Sequence, residues 1–217
     1  MRAAIHDDWL LTPYRVAVHK STQTAVIADV HLGYWQARRK LGEAVPVVPV
    51  VEALAPLRQA MTTNGVTRLV VAGDFFEETP GEDLIQEVLE WFESNEVQLV
   101  GVVPGNHDED LGNVTTAFPL YPDGLWVGEW KVLHGDGKIP KTAVVHGHVH
   151  PCFRIAGVNA HCYLSKSNRL VLPAFSTDAS GVNVLSDEMY AKFESHVITT
   201  QKVLDFGAVK LLQKTKS

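Results

Sequence analysis

The sequence is poor in several features that would mark a specialised class of protein. It has only two cysteines, Cys152 and Cys162, too few for a disulfide framework and typical of a reducing compartment. Because no Cys-x-x-Cys spacing accompanies them, we interpret both as small buried residues and not as metal ligands. The longest apolar run, residues 44–51, is interrupted by Pro46 and Pro49 and is far too short to span a bilayer. We therefore expect a cytoplasmic protein with no membrane insertion.

An excess of positive charge is also missing. Lysine and arginine number 19 against 25 aspartates and glutamates, for a formal net charge of −6, so no diffuse positive field attracts nucleic acid. A local basic patch or a bound metal can still hold a phosphate, so this balance weakens a nucleic-acid partner without excluding it. With 217 residues, 46% of them hydrophobic, the chain can bury a substantial core, and we predict a single domain over residues 1–217.

Apolar patterning predicts an α/β fold. Strands are predicted over residues 25–28, 69–72 and 97–103, and helices are predicted from the apolar stripes within residues 50–61 and 85–92. Pro49 suits the first turn of the first helix, whereas Pro56 should kink it or delay its start. Short apolar runs follow at residues 130–133, 142–145, 170–172 and 182–185 and predict a mostly β second half. Two stacked sheets with helices outside accommodate both halves.

Five apolar runs each end in a cluster of metal-binding residue types. The clusters are Asp29-Val-His31, Gly73-Asp74, Gly105-Asn106-His107-Asp108, His134-Gly-Asp136 and His146-Gly-His148-Val-His150. Because the carboxyl ends of neighbouring parallel strands lie at one edge of a sheet, residues far apart in sequence can meet there. The sequence therefore predicts one shared site.

Taken singly, the clusters differ in weight. An isolated Asp-x-His is more often an N-cap followed by an exposed histidine, and Gly73-Asp74 alone is typical of a turn. The segment after Gly105 favours function, since a turn needs neither His107 nor two adjacent side-chain acceptors. Three histidines at alternating positions in residues 146–150 are the strongest signal, because imidazole is the commonest metal ligand.

Together the clusters offer carboxylate, amide and imidazole ligands for two cations, with Asp74 as the natural bridge. Two ions about 3.5–4 Å apart clamp a phosphoryl group and activate a shared water. So many imidazoles favour manganese, iron, zinc or nickel over magnesium, which prefers oxygen ligands. We expect two divalent metal ions, manganese first among these.

Read in order over residues 29–150, these five motifs resemble those of the calcineurin-like metallophosphoesterases. The resemblance implies a four-layer α/β/β/α sandwich of two mixed β-sheets flanked by helices. It also implies two ligand sets that share Asp74: the first comprises Asp29, His31, Asp74 and His150, and the second comprises Asp74, Asn106, His134 and His148.

The resemblance also implies a phosphoesterase mechanism. A metal-bridging hydroxide attacks phosphorus, and His107, oriented by Asp108, donates to the leaving group or stabilises the transferring phosphoryl. A phosphodiesterase acting on a nucleotide or nucleic acid is predicted. Arg38 and Arg39 are candidate substrate-binding residues, with a solvated helix face as the simpler interpretation.

Within the superfamily the chain is most similar to the ligase-associated bacterial branch, the PdeM-like enzymes. The matching segments are Asp29-Val-His-Leu32, Gly147-His-Val-His-Pro151 and Val171-Leu-Pro-Ala-Phe175 with Gly181. That branch commonly has His-Glu-Pro at the fourth motif, where this chain has His134-Gly-Asp136. The resemblance implies association with a DNA ligase or helicase, and hence a role in DNA repair.

Two alternatives stay open. A hydrolase of nucleotide-sugar-lipid pyrophosphates, of the UDP-diacylglucosamine type, shares the pattern Gly73-Asp-Phe-Phe-Glu77 but has arginine at the position of His107. A lipid substrate would require an apolar lid, for which only residues 45–51 with Trp35 and Leu41 offer a case. The second alternative is a catalytically silent interaction scaffold of the same fold, although every expected ligand position is filled here.

Overall fold

The first half of the chain forms a six-stranded mixed sheet. We analysed a computed structural model, which describes residues 3–5, 8–155 and 157–214. The strands are β1 (Ala3–Ile5), β2 (Trp9–Leu11), β3 (Ala17–His19), β4 (Thr24–Ile27), β5 (Arg68–Ala72) and β6 (Gln98–Val103). They lie side by side in chain order, antiparallel from β1 to β4 and parallel from β4 to β6. The three strands predicted from apolar runs are thus the parallel ones.

Helices cover the outer face of this sheet. They are α1 (Tyr34–Lys40), α2 (Val50–Ala53), α3 (Ala55–Asn64), α4 (Glu82–Ser94) and α5 (Leu111–Val114). The stripe at residues 50–61 is divided between α2 and α3 because Pro56 lies in the first turn of α3, where the missing N–H costs no helical hydrogen bond. Glu82 and Asp83 begin α4, where their charges favour the positive end of the helix dipole.

The second half forms a nine-stranded mixed sheet. Its strands are β7 (Leu125–Val127), β8 (Trp130–Leu133), β9 (Val144–His146), β10 (Pro151–Ile155), β11 (Val158–Lys166), β12 (Arg169–Val171), β13 (Val182–Asn183), β14 (Glu194–Ile198) and β15 (Val203–Ala208). The main order is β13-β10-β11-β12-β9-β8-β7, with β14 between β11 and β15. The predicted strand at 182–185 is shorter than expected, because the Asn183 side chain accepts the Leu185 N–H and begins a 3-10 turn. Helix α6 (Val209–Lys214) follows β15.

Three apolar layers separate the sheets and helices. The layer between the sheets joins residues such as Trp9 and Val70 of the first sheet to Trp130 and Tyr163 of the second. A second layer packs α2, α3 and α4 against the first sheet, and a third packs α6 and two 3-10 turns against the second. Since burying one large apolar side chain contributes about 1.5–3 kcal/mol, these layers hold the sandwich together. The predicted two mixed sheets flanked by helices are confirmed.

Two expectations drawn from scarce features can be compared with the fold. Both Cys152 and Cys162 are buried and free, as their interpretation as small core residues requires. Within the described part of the chain, none of the helices is long and apolar enough to cross a membrane.

Candidate metal centre

The predicted clusters come together at one edge of the two sheets. Strands β4, β5 and β6 are parallel neighbours, so the loops that follow them emerge side by side. Strands β8 and β9 are also parallel, and Leu133 is in register with His146. The backbone N–H of His148, from the second sheet, donates to both carboxylate oxygens of Asp29, from the first, at 3.0 and 2.9 Å. The site is therefore assembled from both sheets.

The loops hold the candidate ligands in an uncommon backbone conformation. Asp29, His31, Asp74, His148 and His150 have φ between 45° and 67°, and they are five of the eight described non-glycine residues with positive φ. Side chains crowd the backbone in this region, so such residues persist only where surrounding contacts impose the conformation. Here the Asp29 N–H donates to the Gly73 carbonyl and the His31 N–H to the Asp74 carbonyl, each at 3.0 Å. The loops brace one another.

The first group of candidate ligands comprises Asp29, His31 and His150. One ligand atom from each lies within 4.8 Å of the others. The Asp29 carboxylate is fully buried, and its Oδ1 lies 3.3 Å from Nε2 of His150. The Nε2 atoms of His31 and His150 are buried without a hydrogen bond. Because buried polar atoms rarely go without a partner, these orphaned nitrogens fit a bound cation.

The second group comprises Asp74, His134 and His148. The His134 Nδ1 is 3.4 Å from the Ala72 carbonyl, which only accepts, so Nδ1 carries the proton and Nε2 presents a lone pair. Around Nε2 lie the Asp74 Oδ2 at 3.5 Å, the Asn106 Oδ1 at 3.2 Å and the His148 Nδ1 at 3.0 Å. Four ligand-type atoms thus converge on a space that a cation fits.

Backbone carbonyls fix the orientation of other imidazoles in the same way. The Nδ1 of His150 donates to the Ser180 carbonyl at 3.1 Å, and the Nδ1 of His107 donates to the Glu77 carbonyl at 2.6 Å. In each ring this leaves Nε2 free for other chemistry. Metal-binding histidines commonly donate their second ring N–H to a carbonyl or carboxylate in this manner.

The electrostatics of the site favour a cation. Burial lowers the pKa of His150, but the Asp29 carboxylate, 3.3 Å from Nε2, outweighs burial, and the net pKa is raised. The negative potential that favours a proton at this position also favours a metal ion. Behind the site, burial lowers the pKa of His146 to about 4, so this ring is neutral, and its Nδ1 donates to the Gly147 carbonyl.

Asp74 and His31 connect the groups. His31, Asp74 and His107 form a third set whose ligand atoms also lie within 4.8 Å of one another. Asp74 is 3% exposed, and its Oδ1 accepts the His107 backbone N–H at 3.0 Å while its Oδ2 faces His134. All seven residues predicted as ligands are therefore brought together, and their assignment to ions stays a prediction.

Asp108, which was predicted to orient His107, makes no hydrogen bond to the His107 ring. The Asp108 carboxylate accepts the backbone N–H groups of Phe75, Phe76 and Gly105 at 3.0–3.1 Å, which ties the loops after β5 and β6 together. Burial raises the pKa of Asp108, and these amides oppose that shift. The carbonyl of Glu77 is what orients the His107 ring. The reason is geometric, because the Asp108 carboxylate lies within hydrogen-bond distance of these three backbone amides and is occupied by them.

Glu77 is a site residue that the sequence reasoning missed. Its carboxylate lies 2.8 Å from Nδ1 of His31, and its carbonyl accepts from His107. It therefore contacts two site histidines through different atoms. Its position three residues after Asp74 in Gly73-Asp-Phe-Phe-Glu77 was a usable signal, since the turn after β5 has to return toward the site.

The two predicted substrate-binding arginines are not brought to the centre. Arg38 pairs with Glu43 and lies over the Tyr34 ring, and Arg39 donates to the Val45 carbonyl and lies over the Trp35 ring. Both belong to α1 and its following turn, so the solvated-face interpretation describes them better. The arginine that lines a cavity next to His31 is Arg15, a residue that no sequence motif indicated.

Comparison with known proteins gives matches to a family profile and to solved structures. A sequence profile of the calcineurin-like phosphoesterases matches residues 22–192. A crystal structure of the Pseudomonas putida nuclease MPE superposes with a TM-score of 0.72 at 18% identity, covering 95% of this chain and 99% of that one. At this identity the superposition shows a shared fold. No curated protein sequence gave a significant match.

Proposed function

This chain belongs to the calcineurin-like phosphoesterase family, whose members normally use a divalent metal centre, and from that membership we propose a binuclear phosphodiesterase. Its proposed substrates are phosphodiesters of nucleotides or nucleic acid. The nuclease that shares the fold supports this substrate class, and the family supports hydrolysis of a phosphate ester. We further propose manganese as the metal, because imidazoles make up four of the seven candidate ligands.

The observation that carries this proposal is the position of Asp74. Asp74 belongs to the second group and to the third set, which also contains His31 and His107. His31 in turn belongs to the first group, so the three sets are connected. The Oδ2 of this buried carboxylate lies 3.9 Å from Nε2 of His31 and 3.5 Å from Nε2 of His134, so this oxygen lies between the two groups, where it can bridge two cations. The buried Nε2 atoms of His31 and His150, which lack hydrogen bonds, supply an independent reason to propose an ion in the first group.

Two divalent ions, when bound, lower the pKa of a water and neutralise charge on the phosphoryl group. The protein contributes orientation and a proton. Because Nδ1 of His107 donates to the Glu77 carbonyl, Nε2 is the atom that can protonate the departing oxygen or hydrogen-bond the phosphoryl group. Burial lowers the pKa of His107, but the Glu77 carbonyl and the Asp74 charge have the larger combined effect and raise it. Asp108 holds the loop that carries this histidine.

Substitution of Asp74 tests the metal assignment. Asp74→Asn removes the charge that both ion positions share, so we expect loss of at least one ion per chain and roughly a hundredfold or greater loss of manganese-dependent diester hydrolysis. Asp123→Asn, an exposed aspartate away from the site, is the matched control. Metal content by elemental analysis and initial rates with an activated diester provide the two readouts. Full metal content together with full activity in Asp74→Asn would overturn the two-ion site.

A second experiment tests the role of His107 separately. His107→Asn keeps a backbone N–H for Asp74 but removes the acidic Nε2. We expect metal content to be retained while hydrolysis slows by about 10²–10⁴-fold, the usual contribution of a general acid. The loss should be smaller with a nitrophenolate leaving group, which needs little protonation. Equal losses for good and poor leaving groups would assign His107 to phosphoryl stabilisation, and no loss would remove it from the mechanism.

We also infer similarity to the ligase-associated branch, with one structural departure. Gly135 has a φ of 117°, and a Cβ there would lie 2.6 Å from Nδ1 of His146. Glutamate at this position, as in the usual His-Glu-Pro motif, would be strained. The loop after His134 therefore differs from the common pattern of that branch.

A nucleotide-sugar-lipid pyrophosphate hydrolase is a second candidate, favoured by one observation. Leu41 and Val47 are 71% and 47% exposed in the segment between α1 and α2. An exposed apolar segment beside the site fits a substrate with acyl chains. Hydrolysis of a UDP-linked diacyl lipid in detergent micelles, faster than hydrolysis of a water-soluble diester, would favour this candidate over the first.

A further inference from the structure

A cavity of about 530 Å³ opens directly beside the candidate metal centre. His31, whose ring nitrogens belong to that centre, forms part of its lining. A cavity of this size lies within the range of roughly 300–1,000 Å³ that holds a small organic ligand. A phosphate ester positioned by His31 would therefore extend one of its organic groups into this space. This reasoning rests on the proposed function.

Aromatic and apolar residues form the walls. Tyr34 and Trp35 lie on α1, a helix none of whose residues is buried, so these two rings are not used by the core. Arg38 and Arg39 lie over these rings, so a ligand in the cavity would contact the opposite ring faces. The adjoining segment, residues 45–50, consists of valine and proline, and so it adds apolar side chains to the wall. Flat apolar walls of this kind suit a planar ring, which gains stacking and loses little conformational freedom on binding.

Arg15 provides a charged group with unused hydrogen-bonding capacity. Its Nε donates to the Phe175 carbonyl at 2.9 Å, and its guanidinium lies over the Phe175 ring. Among the described residues, no carboxylate lies within ion-pair distance of it. A guanidinium has five N–H donors, so donors remain for a ligand in the cavity. Arg15 also has a positive φ of 61°, the same uncommon conformation as the candidate metal ligands.

Exposed carboxylates also line the cavity. Glu52, Glu87 and Asp178 line it and are exposed, and one oxygen of Glu87 accepts the Val50 N–H. Three carboxylates against one arginine disfavour a second phosphate group. An acyl chain would leave Arg15 and the carboxylates without partners, which costs binding energy. A neutral planar ring that carries both carbonyl acceptors and N–H donors satisfies all of these groups.

We propose that this cavity binds the nucleobase of the nucleotide attached to the scissile phosphate. The base lies against Tyr34 and Trp35, Arg15 donates to a base carbonyl, and the exposed carboxylates of the lining accept from base N–H groups. The cavity would make the enzyme selective for nucleoside esters over esters that lack a base.

Two matched substrates test this assignment. Thymidine 5′-(p-nitrophenyl phosphate) and its abasic analogue have the same leaving group and differ only in the base. With manganese present, we expect wild-type kcat/KM to be about tenfold or more higher for the thymidine ester, the usual effect of stacking one base on an aromatic side chain. Equal kcat/KM for two esters that are both cleaved would overturn the base subsite while leaving the proposed function intact. Cleavage of neither ester would overturn the proposed function and the subsite that rests on it.

Variants locate the preference in the cavity. Trp35→Ala and Arg15→Gln should each lower the ratio of the two kcat/KM values about tenfold. Trp35 lies on an unburied helix, so its substitution does not threaten folding, and it decides the test if Arg15→Gln is unstable. Arg58→Gln, an exposed arginine of α3 that does not line the cavity, is the matched control and should keep the wild-type ratio. A wild-type ratio in Trp35→Ala would show that the base binds elsewhere.

Discussion

Asp108 is expected to contribute to stability through the backbone amides that it accepts. Its Oδ2 accepts from Phe75 and Gly105, and its Oδ1 accepts from Phe76, all within 3.1 Å, while the residue is 3% exposed. These bonds join the loop after β5 to the loop after β6. Asp108→Asn replaces one acceptor oxygen with an NH₂ donor, which faces an amide donor. The substitution also removes the charge from the remaining bonds.

The size of the effect follows from those three bonds. A hydrogen bond to a charged group contributes about 1.5–3 kcal/mol, and one between neutral groups about 0.5–1.5 kcal/mol. In the better orientation asparagine loses the bond to Phe76 and weakens the other two, so we expect a cost of about 2–4 kcal/mol. For a protein of this length, each kcal/mol lowers the melting temperature by about 2–4 °C. The expected decrease is therefore about 5–15 °C.

Thermal unfolding followed by circular dichroism measures this change. Asp123→Asn makes the same chemical substitution at an exposed position and should melt within about 1 °C of wild type, as surface substitutions usually do. If Asp108→Asn melts as high as Asp123→Asn, the carboxylate does not stabilise the two loops and the reasoning is refuted. Such a result would return Asp108 to a role on the substrate or on His107.

Three further predictions concern the same fold. Gly73→Ala places a Cβ 1.9 Å from Nδ1 of His134, so activity should fall by about a hundredfold. Gly42→Ala, with similar φ and open space around it, is the control and should show only the backbone cost of about 1–2 kcal/mol in stability. Equal hydrolysis rates in the two variants would contradict the clash. Chelation should lower the melting temperature by about 5–10 °C, since an ion at a hundred times its Kd contributes about 2.7 kcal/mol, and manganese should restore it; an unchanged melting temperature would argue against a bound ion. Burial lowers the pKa of His196, so its unfolded state binds a proton first as the pH falls below about 6.5, and stability in urea should decline toward pH 5 more steeply in wild type than in His196→Gln. Parallel pH profiles for the two proteins would show that His196 does not titrate differently on unfolding.

The sequence was most informative where its local signals agreed with the tertiary structure. The parallel strands β4, β5 and β6 were predictable because buried strands consist of apolar runs, and the break between α2 and α3 was predictable from Pro56. The convergence of the first three clusters followed from strand direction, whereas their meeting with the two clusters of the second sheet depends on how the sheets pack. These features depend on rules of period and chirality that act within short segments.

Other features depend on contacts that no local pattern specifies. Helix α1 buries no residue, so it has no apolar stripe to recognise, and its aromatic residues gave no sign that they line a cavity. The Arg15 side chain is positioned at that cavity by its hydrogen bond to the Phe175 carbonyl, which is 160 residues away in sequence. The orientation of His107 by Asp108 was an implication of the family resemblance, and no local pattern indicated that the Asp108 carboxylate accepts backbone amides instead. Backbone amides of another loop compete for a carboxylate, and only the folded chain shows which of them are within reach.

The arrangement of the candidate ligands gives the metal centre a mechanical meaning. Asp29 and Asp74 follow strands of the first sheet, whereas His134, His148 and His150 follow strands of the second. An ion bound by ligands from both sheets would link the first sheet to the second. Hydrolysis and the packing of the two sheets then depend on the same metal–ligand contacts. We expect a change that moves the two sheets apart to disrupt metal binding before either sheet loses its own hydrogen bonds.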